Sequence, residues 1–111
     1  MSNLLENMNA PVFTVDIDGG SKLDTSNIKN AYVLYFYPKD DTPGCTKEAI
    51  EFSENSGYFK DNNITVIGIS KDTVVKHDKF ILKHDLKIIL GSDVTGVICE
   101  TFGVWIEKSM Y

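Results

Sequence analysis

The hydrophobic pattern of this chain changes its period several times, and its first part predicts two strands. Phe13, Val15 and Ile17 alternate with polar residues, which is typical of a half-exposed strand, and residues 18–20 (Asp-Gly-Gly) then favour a turn. Residues 31–37 are apolar throughout. Because such a run is expected of a strand covered on both faces of a parallel sheet, we predict that this strand is central.

The segments that follow predict helices alternating with further strands. From residue 43 to about residue 60, the residues expected to face the sheet recur at spacings of three and four, which is the period of a helix with one buried stripe. The stripe consists of Cys45, Ala49, Phe52, Ser56 and Phe59. Further along, the pattern predicts a strand at 64–69, a helix at 72–84, a short strand at 87–90 and a short helix at 94–103 that Gly103 ends.

This alternation predicts the α/β class. Two strand-helix-strand units in series imply a parallel sheet with right-handed crossovers. A chain of 111 residues with 42% hydrophobic composition has the size of one domain, so we treat residues 1–111 as a single domain. Sites collect in loops at the carboxyl ends of parallel strands, and the loop at 38–45 lies at such an end.

Charge and composition narrow the range of partners. The net charge is −5 and the lysines are scattered, which argues against nucleic acid or an anionic membrane as the main partner. The first eight residues contain neither a basic segment nor a long apolar run, so we expect no secretory signal and no transmembrane helix, and we predict a cytoplasmic protein. All eleven basic residues are lysines, so no guanidinium group can clamp an anion.

Cys45 has the clearest chemistry in the chain because of where its helix should begin. Thr42 suits the N-cap and Pro43 the first helical position, which puts Cys45 third in the helix. Backbone N–H groups and the macrodipole at a helix start lower the pKa of a cysteine thiol, and the thiolate is the form that attacks electrophiles. We therefore predict a redox or nucleophilic site. The alternative is that Cys45 only fills space between helix and sheet.

The two histidines and the two adjacent aspartates do not indicate a functional site. His77 and His84 are about two helical turns apart, too far to chelate one metal ion, so we interpret them as solvated or partly packed. Asp40 and Asp41 lie in a polar loop, where they are expected to supply turn propensity and surface charge. Two cysteines are too few for a four-cysteine zinc site, and no metal site is predicted.

A longer motif contains Cys45. Residues 35–48 read Tyr-Phe-Tyr-Pro-Lys-Asp-Asp-Thr-Pro-Gly-Cys-Thr-Lys-Glu, which resembles the active-site signature of peroxiredoxins, and specifically of the bacterioferritin-comigratory protein (PrxQ) subfamily. The resemblance implies a thioredoxin-like fold of the peroxiredoxin type. It also implies a thiol-dependent peroxidase that reduces hydrogen peroxide and organic hydroperoxides in antioxidant defence, without a metal or organic cofactor.

The same resemblance implies a role for each residue of the motif. Cys45 would be the peroxidatic nucleophile, which the peroxide converts to a sulfenic acid. Thr42 would hydrogen-bond the peroxide, and Pro38 would shield the pocket from water. The backbone N–H groups around Gly44 and Cys45 would stabilise negative charge. Glu48 matches the family's acidic position in the first helical turn, which helps to order the active-site arginine.

That arginine is the main departure from the family pattern. In the family it lies on a later strand, after the region corresponding to Tyr111, and this sequence contains no arginine. If the loss resembles removal of one oxyanion-stabilising donor, the rate should fall by ~10²–10³. The family fold also continues with two further strands and a helix, so we expect this sequence to correspond to the first two-thirds of a domain. Without those strands, the strand at 31–37 would be left as an exposed apolar edge.

A second departure concerns the resolving cysteine. Ile50 and Ile81 stand where subfamily members carry one, and Cys99 is the remaining candidate within the chain. Because Cys99 lies in an apolar stretch, burial as a small hydrophobe is the preferred interpretation. A one-cysteine mechanism is therefore expected, in which thioredoxin or a glutathione-type thiol reduces the sulfenic acid.

Two alternatives come from other functional classes. A thiol-disulfide oxidoreductase on the same fold is disfavoured because the chain has no Cys-x-x-Cys pair. A truncated or degenerate non-catalytic thioredoxin-fold domain is favoured by the absence of arginine, whereas the intact proline-threonine-cysteine loop favours an enzyme.

Overall fold

In a computed structural model, which describes residues 10–104, the alternating segment near the start of the chain forms a hairpin. Strand β1 (Thr14–Ile17) pairs antiparallel with β2 (Lys22–Asp24) across a 3-10 turn at Asp18–Gly20. Gly19 and Gly20 have φ angles of 82° and 87°, a region that glycine enters without strain. The strand β2 was not predicted, and a second 3-10 turn at Thr25–Asn27 follows it.

The rest of the described chain alternates strands and helices as predicted. The elements in order are β3 (Tyr32–Phe36), α1 (Pro43–Glu54), α2 (Ser56–Asp61), β4 (Thr65–Ser70), α3 (Val74–His84), β5 (Ile89–Ser92) and α4 (Val97–Thr101). Strand β3 pairs parallel with β4, and β4 with β5, which confirms the two strand-helix-strand units. The sheet is mixed, with the order β2-β1-β5-β4-β3, because β1 joins β5 antiparallel.

The prediction that residues 31–37 form a central strand is wrong within the described chain. Strand β3 is at the edge of the sheet, and β4 and β5 are interior. The run is apolar because both faces of β3 contact hydrophobic clusters, with Val33 and Tyr35 on one side and Leu34 and Phe36 on the other. The hydrophobic run therefore indicates that both faces of the strand are covered. It does not indicate how many strands are hydrogen-bonded to it.

The single helix predicted over residues 43–60 is also wrong, because the chain breaks it into α1 and α2 at Asn55. Asn55 has φ −99° and ψ 14°, and its side-chain amide donates to the Glu51 carbonyl at 2.8 Å. An asparagine that satisfies the last carbonyls of a helix in this way competes with continuation of the helix. The apolar stripe continues across the break, which is why the period alone did not reveal it.

Two hydrophobic clusters lie on opposite faces of the sheet. The first contains Tyr37 and Ala49 with residues of α3, β4 and β5, and Cys45 packs against it. The second contains Val15 with β4 residues and Ile98 and Phe102 of the α4 region. The helix that carries Cys45 is therefore held against the first face of the sheet.

Candidate active site

The loop that follows β3 delivers Cys45 to the first turn of α1, as predicted. Thr42 occupies the N-cap position with an extended backbone, and Pro43 begins the helix. The first hydrogen bond of the helix runs from the Thr46 N–H to the Thr42 carbonyl at 2.8 Å. The N–H groups of Gly44 and Cys45 precede that bond, so they have no acceptor within the helix and remain available to a ligand.

The Thr42 side chain does not cap the helix. It makes no capping hydrogen bond, and its hydroxyl instead donates to the Lys39 carbonyl at 3.2 Å. The N-cap assignment from sequence is therefore correct for the backbone and wrong for the side chain. Because the hydroxyl hydrogen is already engaged, the lone pairs of the Thr42 oxygen can accept a hydrogen bond from a molecule in the loop.

A surface cleft of about 400 Å³ joins the residues that the motif singled out. Its lining residues are Phe36, Tyr37, Pro38, Thr42, Pro43, Gly44, Cys45 and Glu48. Cys45 is half-buried as a residue, so it is neither sealed in the core nor free of packing. The structure thus places the five motif residues of the predicted site on one cleft, with Cys45 also packed against the first hydrophobic cluster.

Two ionisable groups beside the cleft have shifted pKa values. Partial burial, reinforced by the nearby charge of Glu51, raises the pKa of Glu48. Burial, with the negative charges of Glu48, Cys45 and Asp40, raises the pKa of Tyr35. Tyr35 is therefore a neutral phenol at any physiological pH.

Behind the cleft lies a buried polar network that the sequence did not predict. The Tyr37 hydroxyl donates to Asp40 Oδ1 at 2.5 Å, and Asp40 Oδ2 is 2.7 Å from Nδ1 of His77. His77 is fully buried, and its Nε2 is 2.9 Å from the carbonyl oxygen of Gly91. The interpretations of His77 as solvated or partly packed and of Asp40 as a surface charge are therefore wrong, since each is buried and bonded to the other.

The next residue of the loop, Asp41, is a surface charge as predicted from the sequence, and it also binds two side chains of α3. Asp41 is exposed, and its carboxylate contacts Lys83 at 2.6 Å and His84 at 2.9 Å. These hydrogen bonds hold the pKa of Asp41 below its ordinary value. Asp41 also has a φ of 59°, an uncommon conformation that aspartate tolerates better than most residues. Successive aspartates of the loop thus bind two histidines of α3.

Cys99 lies away from this cleft, in the buried part of α4. The backbone N–H groups of Ile98 and Cys99 donate to the Asp93 carboxylate at 3.1 and 2.9 Å, so Asp93 caps a helix shorter than predicted. Gly103, with φ 69°, follows the end of α4 as expected. Burial and the Asp93 carboxylate raise the pKa of the Cys99 thiol from 9.0 to about 12. These features support the interpretation of Cys99 as a buried small residue.

These raised pKa values predict that the fold loses stability at alkaline pH. Burial and the Asp40 charge raise the pKa of Tyr37, as burial does for Cys99. A group whose pKa is higher in the folded state keeps its proton there while the unfolded chain loses it, so the free energy of unfolding falls as pH rises above the ordinary value. We expect urea denaturation to give a lower free energy of unfolding at about pH 10.5 than at about pH 8.

The matched variant for this pH dependence is Cys99→Ala, which removes one of the raised groups. Its free energy of unfolding should fall less steeply with pH over the same interval. An unchanged slope in Cys99→Ala, measured against the parent chain, would contradict the assignment to Cys99.

Two kinds of site find no support in the described part of the chain, a metal centre and a membrane span. Between residues 10 and 104, no group of three or more His, Cys, Asp or Glu side chains is arranged to hold a metal ion. None of the helices in that stretch is both long and apolar enough to cross a membrane.

Comparison with known proteins agrees with the motif. The model of the AhpC/TSA family matches residues 7–111. The chain is 44% identical over 103 residues to the putative peroxiredoxin bcp of Coxiella burnetii, covering 92% of this chain and 68% of the relative. It is 42% identical over 103 residues to the peroxiredoxin Bcp of Bacillus subtilis, covering 92% of this chain and 66% of the relative.

Solved structures agree as well. One is the bacterioferritin comigratory protein of Xanthomonas campestris, whose structure was determined for insights into its alkyl peroxide reduction activity. It matches this chain with a TM-score of 0.81 and 34% sequence identity, and the match covers 89% of this chain and 64% of the Xanthomonas protein. The chain thus spans about two thirds of the length of these relatives. With a family model matching almost from end to end, the chain belongs to the AhpC/TSA family and, within it, to the bacterioferritin-comigratory (PrxQ) type of peroxiredoxin with a thioredoxin-like fold.

Proposed function

We propose that this chain carries the peroxide-reducing site of a thiol-dependent peroxidase, with Cys45 as the nucleophile. The observation that supports the proposal most directly is the position of half-buried Cys45 in the first turn of α1, on the cleft that Pro38 and Thr42 also line. A nucleophile must be accessible to its substrate and close to groups that stabilise the developing charge. Both conditions are satisfied around Cys45.

In the proposed reaction the Cys45 thiolate attacks one oxygen of a hydroperoxide. The S–O bond forms as the O–O bond breaks, the sulfur is oxidised to a sulfenic acid, and the leaving oxygen departs as an alkoxide or hydroxide that takes a proton from water. The free N–H groups of Gly44 and Cys45 stabilise the negative charge on the oxygens. The Thr42 oxygen accepts a hydrogen bond from the hydroperoxide O–H, and Pro38 limits access of water.

The sulfenic acid is then reduced by an external thiol. A first thiol displaces water and forms a mixed disulfide with Cys45, and a second thiol releases Cys45 as the reduced thiol. Burial and the raised pKa of Cys99 disfavour it as the attacking thiol. We expect thioredoxin or a glutathione-type thiol to serve as reductant, in the cytoplasm, and we expect no metal or organic cofactor to take part.

Trapping of the sulfenic acid tests this proposal. Reduced protein treated with hydrogen peroxide in the presence of dimedone should carry a dimedone adduct on the Cys45 peptide and none on the Cys99 peptide, as read by mass spectrometry. An intramolecular disulfide between Cys45 and Cys99 would contradict the one-cysteine mechanism. An unmodified Cys45 would instead favour a non-catalytic domain.

The non-catalytic domain is the second candidate function, because the sequence contains no arginine. Without a guanidinium group, the negative charge that develops at Cys45 is stabilised by the backbone N–H groups at the start of the helix. Loss of one oxyanion donor slows a reaction by ~10²–10³, so a slower peroxidase and an inactive domain differ in measurable rate. A peroxide reaction of Cys45 no faster than that of a free thiol would favour the inactive domain.

A further inference from the structure

We propose that the buried Asp40–His77 pair, together with Asp72, is a positioning device that aims the Thr42 hydroxyl and the first turn of α1 at a bound hydroperoxide. The proposal rests on the proposed function. His77 comes from α3 and is not among the residues that line the cleft. Its Nδ1 is 2.7 Å from Asp40 and 3.5 Å from the Tyr37 hydroxyl, so it acts through them as a positioning residue and not as a catalytic one.

The device begins with His77, whose two ring nitrogens both have partners. The carbonyl oxygen of Gly91 can only accept, so Nε2 of His77 must carry a hydrogen. The 2.7 Å contact between Nδ1 and Asp40 Oδ2 needs one more hydrogen, held by the ring or by the carboxyl group. Asp40 Oδ1 accepts from the Tyr37 hydroxyl. Each buried group is therefore satisfied, and His77 ties the loop to both α3 and β5.

The groups that face this pair come from each element packed around it. Tyr37 comes from the end of β3, Asp72 from the segment before α3, and the Gly91 carbonyl from β5. From α3, the Lys76 ammonium is 4.0 Å from Asp72. The pair is thus enclosed by an acid, a phenol and a carbonyl.

The connection to the cleft passes through the peptide bond between Lys39 and Asp40. The N–H of this peptide donates to Asp72 Oδ2 at 2.7 Å, and its carbonyl, on Lys39, accepts from the Thr42 hydroxyl at 3.2 Å. Because a peptide unit is planar, fixing its N–H also fixes the direction of its carbonyl. The Asp40 side chain anchors one end of that plane to His77. The orientation of the Thr42 oxygen therefore depends on a histidine of another helix.

A structural comparison within the same loop provides the control. Asp41 and His84 form a second aspartate-histidine pair on α3, but Asp41 is exposed and the His84 side chain is 21% exposed. Exposed pairs contribute little, since water replaces the lost partner. His84→Gln is therefore the matched control for His77→Gln.

The experiment compares two reactions of Cys45 in the full chain. We expect His77→Gln to lower the rate constant for hydrogen peroxide by roughly 10-fold to 100-fold, the loss that a misaligned reacting group produces, while alkylation by iodoacetamide changes by less than about 3-fold. His84→Gln should change both by less than about 2-fold. Asp40→Asn, which can keep both side-chain contacts when its amide donates to Nδ1 and its oxygen accepts from Tyr37, should retain most of the peroxide rate that Asp40→Ala loses.

Several outcomes would overturn the positioning role. These are a normal peroxide rate in His77→Gln, an equal loss of both rates in that variant, or an Asp40→Asn variant as slow as Asp40→Ala. Amide hydrogen exchange of residues 39–46 separates this proposal from the proposed function, because it requires no peroxide chemistry. Exchange should quicken in His77→Gln and Asp40→Ala and stay unchanged in His84→Gln, and unchanged exchange in the first two variants would also contradict the proposal.

Discussion

Replacement of Cys45 by serine is expected to eliminate the proposed reaction of this protein with hydroperoxide. A serine hydroxyl is far less nucleophilic than a thiolate at neutral pH, and no second thiol lines the cleft around position 45. The rate constant should fall by ~10³ or more, to the level of the solvent reaction. Stopped-flow measurement of hydrogen peroxide consumption by the reduced protein, with the variant and the parent chain at equal concentration, gives this ratio directly.

The matched control for this substitution is Cys99→Ser, the same change at the other cysteine. Cys99 is buried in α4, where its N–H binds the Asp93 carboxylate. We expect Cys99→Ser to keep the fast phase. If the fast phase survived in Cys45→Ser and disappeared in Cys99→Ser, the nucleophile would have been assigned to the wrong sulfur.

The second large effect is a loss of stability, which we expect from the substitution Leu90→Ala. Leu90 is completely buried in β5 and belongs to the first hydrophobic cluster, with Tyr37 and Phe80. Truncation of a buried leucine to alanine loses the transfer free energy of the removed atoms and leaves a cavity, at a cost of roughly 2–5 kcal/mol. Since domains are stable by only about 5–15 kcal/mol, urea denaturation should show a much lower midpoint.

Leu82 provides the same substitution on the surface. It belongs to α3, and 83% of it is exposed to solvent. Leu82→Ala should change the free energy of unfolding by no more than about 0.5 kcal/mol, because an exposed side chain has little packing to lose and alanine favours a helix. Equal effects of the two substitutions would contradict the placement of Leu90 in the core.

The location of the candidate site could be predicted because its signals are local. Pro43 cannot donate a backbone hydrogen bond and suits the first position of a helix, and Thr42 suits the position before it. The apolar run that ends at Tyr37 indicates a strand. These neighbours in sequence are sufficient to put Cys45 in the first turn of a helix at the carboxyl end of a strand, which is where the structure has it.

The contacts behind the site could not be predicted because they join residues far apart in sequence. Asp40 meets His77 only when α3 packs beside the loop, and the two are 37 positions apart. From sequence, a histidine on a helix face and an aspartate in a polar loop are each more often exposed. The one available signal was the spacing of His77 and Phe80, which places both on the buried side of α3.

By itself, the sequence determined the alternation of strands and helices after residue 31, the start of α1 and the identity of the candidate nucleophile, because these depend on hydrophobic period and on backbone preferences within a few residues. Only the tertiary structure decided that α1 and α2 are separate helices, that Thr42 turns its hydroxyl to Lys39, and that His77 reaches the loop. Those outcomes depend on which elements become neighbours, and so on packing and hydrogen-bond partners that a one-dimensional pattern does not specify.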